Sequence, residues 1–228
     1  MTVPDVTPVR ATTLSPLHYH SLPVSSGTAT IAEFLADRSM SYAIANAMGA
    51  LSSSVALPRV KDYRRDLEVL PWMASVFTAV NPSLLPQLGK RLNLDTEGGY
   101  QKKIMDATGT GNLKTWFYIQ EVAPGTIYEG AIFGPDPFRM ASEADGREID
   151  YLIIRTGRHL GGIVKLERAP DVKAVRLNAH TAHLFGQDPA TDPEMEVDVF
   201  ALYDMQFTEP KPLEEAARIV GSWRVFDA

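Results

Sequence analysis

The stretch Ile153–Arg168, IIRTGRHLGGIVKLER, concentrates more chemistry-bearing residues than any other in the chain. Three glycines (Gly157, Gly161, Gly162) stand between two apolar, β-branched runs and are interleaved with Arg155, Arg158, His159 and Lys165. Glycines let a backbone approach a phosphate closely and turn its N–H groups outward, and arginine supplies a bidentate partner for the same group. The same pattern also describes a hairpin loop that needs positive φ, and the residues alone leave both readings open. Neither GxxxxGK[ST] nor GxGxxG occurs here, so the run supports neither a P-loop nor a dinucleotide site.

The histidines offer a second chemistry. His18-Tyr19-His20 places two imidazoles on one face of an extended segment, and His180 and His183 form an HxxH pair. No carboxylate accompanies the first pair and the second lacks the HExxH arrangement, so neither is assigned a metal. His18, Tyr19 and His20 with Lys114 or Lys165 have the side chains for general acid–base cleavage of RNA, although no spacing singles out that role. A GxSxG elbow is absent. In Arg91–Phe117, Lys102, Lys103 and Lys114 lie beside Tyr100, Trp116 and Phe117. Cations for phosphates and rings for bases are what single-stranded RNA binding uses, while buried rings with solvated lysines explain the same residues.

The 228 residues contain no cysteine, which excludes a disulfide scaffold, a thiol nucleophile and a thiolate zinc site. The net charge of −6 argues against indiscriminate adhesion to nucleic acid or anionic membrane. That charge is unevenly placed. Residues 188–228 hold ten acidic and three basic side chains, leaving residues 1–187 at +1. Within that body, Arg155–Arg176 has six Lys or Arg (155, 158, 165, 168, 173, 176) against Glu167 and Asp171, and a second cluster holds Arg59, Lys61, Arg64 and Arg65. A polyanion responds to local potential within about 8 Å, not to the chain average, yet an ordinary solvated face of ion pairs gives the same composition. The apolar stretches fall short of the roughly 20 residues that cross a bilayer, and MTVPDVTPVR has no apolar core, so a cytoplasmic protein with no membrane partner is expected.

The elements that must position these residues read as α+β. Thr12–Ser25 is expected to be extended and Ile31–Leu51 an amphipathic helix, with Thr28 or Thr30 as its cap. Leu67–Val80 has no clear type. Thr115–Ala123 and Thr126–Phe133 are strands about a Pro124-Gly125 turn, and the region from Arg91 is a hairpin. Ala141–Arg147 reads as a polar loop. Ile149–Arg155, Ile163–Arg168, Val172–Leu177 and Val197–Tyr203 are strands, and Pro212–Val220 a short helix with Glu214 and Glu215 in its first turn. An early strand and helix followed by hairpins suit a ferredoxin-like sheet with insertions.

In order and spacing, five segments are similar to one family. They are TTLSPLHYHSLPVSS, RSMSYAIANAMGAL, GNLKTWFYIQEVAPGTIYEGAIFG, IIRTGRHLGGIVKLE and ALYDMQFTEPKPLEEAARIVGSWRV. Together they resemble the CRISPR-associated RAMP proteins, specifically the subunit that holds the five-prime handle of the guide RNA in class 1 Cascade-like complexes, in its type I-D branch. The opening helix lacks that branch's aromatics, and residues between Leu51 and Leu67 match no segment of it. The resemblance implies one RRM-like, ferredoxin-fold RAMP body with an antiparallel sheet, a β-hairpin thumb at about 91–117 and an acidic segment at 188–228. It implies a noncatalytic role without cofactor. Its partners would be guide RNA (crRNA), backbone RAMP subunits and the large subunit of the effector complex, with target DNA as a further candidate.

By the same likeness Arg155, Arg158 and His159 would meet handle phosphates, Lys165 would follow on the same sheet, and Lys102, Lys103 and Lys114 would lie near the spacer–handle junction. His18 and His20 complete the candidate RNA-binding set. One relative in another subtype cuts precursor RNA with Tyr, Lys and His, which keeps a metal-independent endoribonuclease as the first alternative. An interaction subunit with little RNA contact is the second.

Overall fold

The computed structural model describes residues 3–19, 21–24, 27–49, 62–91, 116–157, 161–192, 194, 196–199 and 203–224. The chain is α+β, with a main sheet that is antiparallel throughout. Its first strand, β1 (Val6–Thr13), lies earlier than the expected extended segment and alternates half-buried with buried residues. Thr7, Val9, Ala11 and Thr13 point into the core. Pro8 is tolerated within this central strand because its carbonyl accepts Ala169 N–H just beyond the end of the neighbouring ladder, and the Ala169 carbonyl that would face its missing amide accepts Val172 N–H instead.

Two short strands, β2 (Ser21–Val24) and β3 (Gly27–Thr30), and the two-residue β4 (Phe34–Leu35) precede helix α1 (Asp37–Ala47). The helix is shorter than its periodicity suggests, because Phe34 and Leu35 pair with β6 (Phe77–Ala79) instead. Thr30 does not cap it. Ala36 occupies that position with no side-chain cap of its own, and its N–H is taken by the buried Tyr19 hydroxyl. The region of unassigned type, Leu67–Val80, resolves into the end of α2 (Tyr63–Glu68), then β5 (Met73–Ala74) and β6. Both short strands pair with β9 (Ile127–Phe133). Between them Ser75 fills the break, its Oγ accepting Ala131 N–H and donating to the Val76 carbonyl at 2.9 Å each.

After β9 the chain forms a helix where a polar loop is expected. This is α3 (Pro137–Asp145), capped by Asp136 Oδ1, begun by proline and stopped by Gly146 at φ 71°. Then come β10 (Tyr151–Arg155) and β11 (Ile163–Arg168), which returns against β1. Ignoring the added edge strands, the sheet runs β11-β1-β9-β6, that is fourth, first, third, second, which is the ferredoxin-like order. β10 lengthens one edge and β4 the other.

A second sheet has the order β2-β3-β8-β7, with β7 at Leu88–Arg91 and β8 at Trp116–Gln120. Arg91 pairs with Trp116, so β7 and β8 are the antiparallel strands from which residues 92–115 depart. The rest of the expected thumb lies outside the described residues. The expected strand at Val172–Leu177 contracts to β12 (Ala174–Val175), paired with β15 (Lys211–Pro212). The expected strand at Val197–Tyr203 becomes a hairpin of β13 (Glu196–Val199) and β14 (Tyr203–Gln206). A helix that the sequence does not announce, α4 (Ala179–Leu184), carries His180 and His183, and α5 (Leu213–Trp223) closes the described chain.

One face of the main sheet is packed. Leu152, Ile154, Val164, Leu166, Val9 and Ala11 join Trp72, Phe77, Phe133, Phe138 and Val220 in a continuous core. Gly130 on β9 belongs to the packing, since a Cβ there would come within 2.7 Å of the Phe77 ring. Among the described residues the Ser75 hydroxyl alone accepts the buried Ala131 amide, so Ser75→Ala strands that donor. We expect a loss of about 1–3 kcal/mol by urea denaturation, and an unchanged midpoint would contradict the role given to Ser75.

Candidate nucleic-acid interface

The glycine-rich run joins the ends of β10 and β11 and is pressed onto the chain leaving β1. Thr156 N–H donates to the Gly162 carbonyl, Gly162 N–H to the Pro16 carbonyl, and Ile163 N–H to Ser15 Oγ, at 2.9–3.0 Å. Gly157 and Gly162 have φ of 85° and 78°. A Cβ at Gly157 would approach the His18 carbonyl to 2.7 Å, one at Gly161 the Pro16 carbonyl to 2.4 Å, and one at Gly162 the Thr156 carbonyl to 1.9 Å. These glycines are therefore required by the loop's own docking. The Gly162 amide is spent on Pro16 and does not turn outward.

The candidate residues fall into three groups. Arg155 ends β10 and is exposed, and Lys165 lies on β11 opposite Ile153 and Thr12. His18 is brought against the glycine loop through its backbone, but its side chain is only 3% exposed. The expectation that His18 and His20 present two imidazoles from one strand face is corrected for His18: residues 14–19 lie between strands, and packing encloses the ring. Arg158, His159, His20, Lys102, Lys103 and Lys114 lie outside the described residues, as do Arg59 and Lys61.

The open face of the main sheet carries the remaining candidates, in rows set by the ladders. One row runs Tyr151, Glu167, Arg10, Glu129, Thr78; the next runs Ile153, Lys165, Thr12, Ile127. Arg10 was not legible as a site residue, because its partners come from distant parts of the chain. Its guanidinium reaches Glu129 Oε1 and Asp171 Oδ2 at 2.6 Å each. Hydrogen bonding to Glu129 first and Asp171 second holds Arg10 above the ordinary arginine range, and Arg10 in turn lowers Asp171. The Lys165 ammonium sits 2.7 Å from Glu167 and 5.1 Å from the centroid of the Tyr151 ring.

The cations of Arg155–Arg176 are mostly engaged in the same way. Arg168 meets Asp136 at 2.8 Å and lies over the Phe138 ring, Arg176 meets Asp192 and the Thr208 carbonyl at 2.9 Å each, and Lys173 donates to the Pro170 carbonyl. In the second cluster Arg64 pairs with Glu68 and Arg65 with Asp66. The solvated-face reading therefore holds for most of the described basic residues. Arg155 is the exception within its cluster, the one described member with no hydrogen-bond or ion-pair partner.

The HxxH pair sits on α4, where His183 Nε2 lies 3.1 Å from Asp188 Oδ1. Among the described residues no three histidine or acidic side chains gather as a metal site. No described helix is long and apolar enough to cross a membrane.

Comparison with known proteins adds little to this geometry. No family model and no curated protein matches the sequence. Among solved structures, the chain is similar to one in the cryo-EM structure of the Type III-B Cmr-beta bound to cognate target RNA and AMPPnP. The match covers 94% of this chain and 88% of that one, at 10% identity and a TM-score of 0.40. A likeness at that level carries no conclusion about function.

Two outcomes test the site's construction. Gly162→Ala should cost clearly more stability than Gly125→Ala. Both need positive φ, worth about 1–2 kcal/mol for alanine, but a Cβ at Gly125 meets nothing within 4 Å. Equal denaturation midpoints would remove the docking argument. The second concerns pH. The Arg176 guanidinium, aided by the Glu194 amide, holds the Asp192 carboxyl below its ordinary value. Its contribution is therefore present above the usual carboxylate range, near pH 4, and is lost as pH falls through the depressed folded value. Asp192→Asn should be less stable than the parent at neutral pH and should lose less on acidification; parallel acid limbs would contradict this.

Proposed function

We propose that this chain is a noncatalytic crRNA-binding subunit of a type I CRISPR surveillance (Cascade) complex. It holds the five-prime handle of the guide RNA and caps the backbone filament, in defence against foreign DNA. The observation that carries the reading is Arg155, an exposed guanidinium with no partner among the described residues, beside glycines 157, 161 and 162 that are seated on residues 15–18. Seated glycines beside a cation with no described partner suit a phosphate, since the donor has no described partner to give up before it binds.

Three further features support it. The five-segment resemblance runs from about Thr12 to Val225, the main sheet has the ferredoxin-like order that resemblance implies, and β7 and β8 hold the base of the 91–117 segment that carries Lys102, Lys103 and Lys114. The type I-D branch is the subtype the segments favour. Enclosure of His18 and Tyr19 favours a binding role over acid–base cleavage. The acidic segment 188–228 suits a basic neighbouring subunit.

Arg155→Ala with Arg158→Ala should weaken binding of the handle by the assembled complex and reduce the slope of log K against log salt by about 1.4, two contacts at roughly 0.7 each. Unchanged affinity and slope would remove the loop from the interface. Incubating the purified chain with repeat RNA in EDTA should leave that RNA intact, and cleavage would establish the endoribonuclease instead. The ion pairing of Lys165, Arg168 and Arg176 favours a second reading, an interaction subunit with little RNA contact. Protein–RNA crosslinks mapping away from Arg155–Arg176 and the 91–117 segment would select it.

A further inference from the structure

We infer that β10 is a self-pairing edge, through which two RNA-free copies of the chain join their main sheets about a two-fold axis at Ile153.

The phase of the ladder dictates which groups are available. Thr156 N–H bonds to the Gly162 carbonyl, so the alternate residues Leu152 and Ile154 direct their backbone groups toward β11. Tyr151, Ile153 and Arg155 direct theirs to the opposite side, where no described backbone group pairs with them. Natural edges are guarded by lysine, proline, a bulge or a covering segment. The outward row here is Tyr, Ile and a single Arg, with Tyr151 51% and Ile153 48% exposed.

The sequence YLIIR has the symmetry that an antiparallel pair of identical strands needs. With Ile153 opposite Ile153 of a second copy, Tyr151 faces Arg155 in both directions, and Leu152 faces Ile154. The available N–H and C=O groups of 151, 153 and 155 then satisfy one another. On the open face each Arg155 guanidinium meets a Tyr151 ring whose other face carries Lys165 at 5.1 Å. Ile153 meets its own copy, and the exposed Leu14 and Ile163 extend the apolar strip. On the packed face Leu152 and Ile154 continue the core across the junction. A cation with no described partner, opposite an exposed aromatic and flanking an exposed isoleucine, is what selects a second copy over a strand of unrelated sequence.

The pairing does not rest on the RNA-binding reading, but it uses the same Arg155, so the experiment uses nuclease-treated chain free of RNA. Sedimentation should show concentration-dependent conversion from 25.1 kDa to twice that mass. Ile153→Lys should abolish the conversion while leaving Arg155, and hence handle binding, in place. Tyr151→Arg should abolish it too, and Tyr151→Arg with Arg155→Tyr should restore it, which a merely sticky patch would not do. Because the chain has no cysteine, Ile153→Cys supplies a single thiol that a short bis-maleimide should join into dimers, and Glu143→Cys on α3 should not. A monomer at every concentration, equal linking at both thiols, or linking of position 153 only to a different subunit of an assembled complex would overturn the inference. Loss of handle binding in Arg155→Ala with normal sedimentation in the parent would bear on the RNA reading alone.

Discussion

The main sheet depends on β1 being hydrogen-bonded on both sides. It pairs with β9 along one edge and β11 along the other, and no other strand of the ferredoxin-like set can close the order without it. Its inward residues are Thr7, Val9, Ala11 and Thr13, small enough for large neighbours such as Ile132 and Tyr128 to fill the core above them. The Thr13 hydroxyl ties the strand's end to the turn before β9, bonding the Ala123 carbonyl and the Thr126 amide. The chain then leaves β1 as residues 14–18, and the glycine loop is seated on this same segment. Strand, turn and loop are thus one mechanical unit.

That dependence also explains what could be read from sequence. β8, β9 and β11 were legible because β-branched and aromatic residues fill them, and Ile163–Arg168 was placed to the residue. β1 was not. Threonine and alanine at inward positions, with Pro8 between two of them in sequence, give no apolar alternation, so the sequence marks the first strand only from Thr12. Helix α3 carried its signals, Asp136-Pro137 before it and Gly146 after it, but its polar exposed face resembles a loop. α1 was overextended because Ile31, Phe34 and Leu35 fit a helical period while their backbone is claimed by strands.

The candidate site was legible in its residue types and not in its electrostatics. A run of six cations looks like a basic patch in one dimension. In three dimensions Lys165, Arg168 and Arg176 each find a carboxylate, and Arg10, which no local count would include, is held by residues 119 and 161 positions away. Such pairs contribute little to stability at the surface, but they cancel potential where a phosphate would feel it. What distinguishes Arg155 is only that it has no counter-ion among the described residues.

The connection between β7 and β8 has a consequence for how this fold can change. Residues 92–115 leave at Arg91 and return at Trp116, which are ladder partners about 5 Å apart. Closing a loop on two ends already held together costs little more as it grows, roughly 0.6 kcal/mol for each doubling. The body therefore places almost no restriction on the length or composition of what it carries there. Such a junction lets an appendage evolve, be exchanged between relatives or be replaced by a reporter, while the sheet below keeps its register.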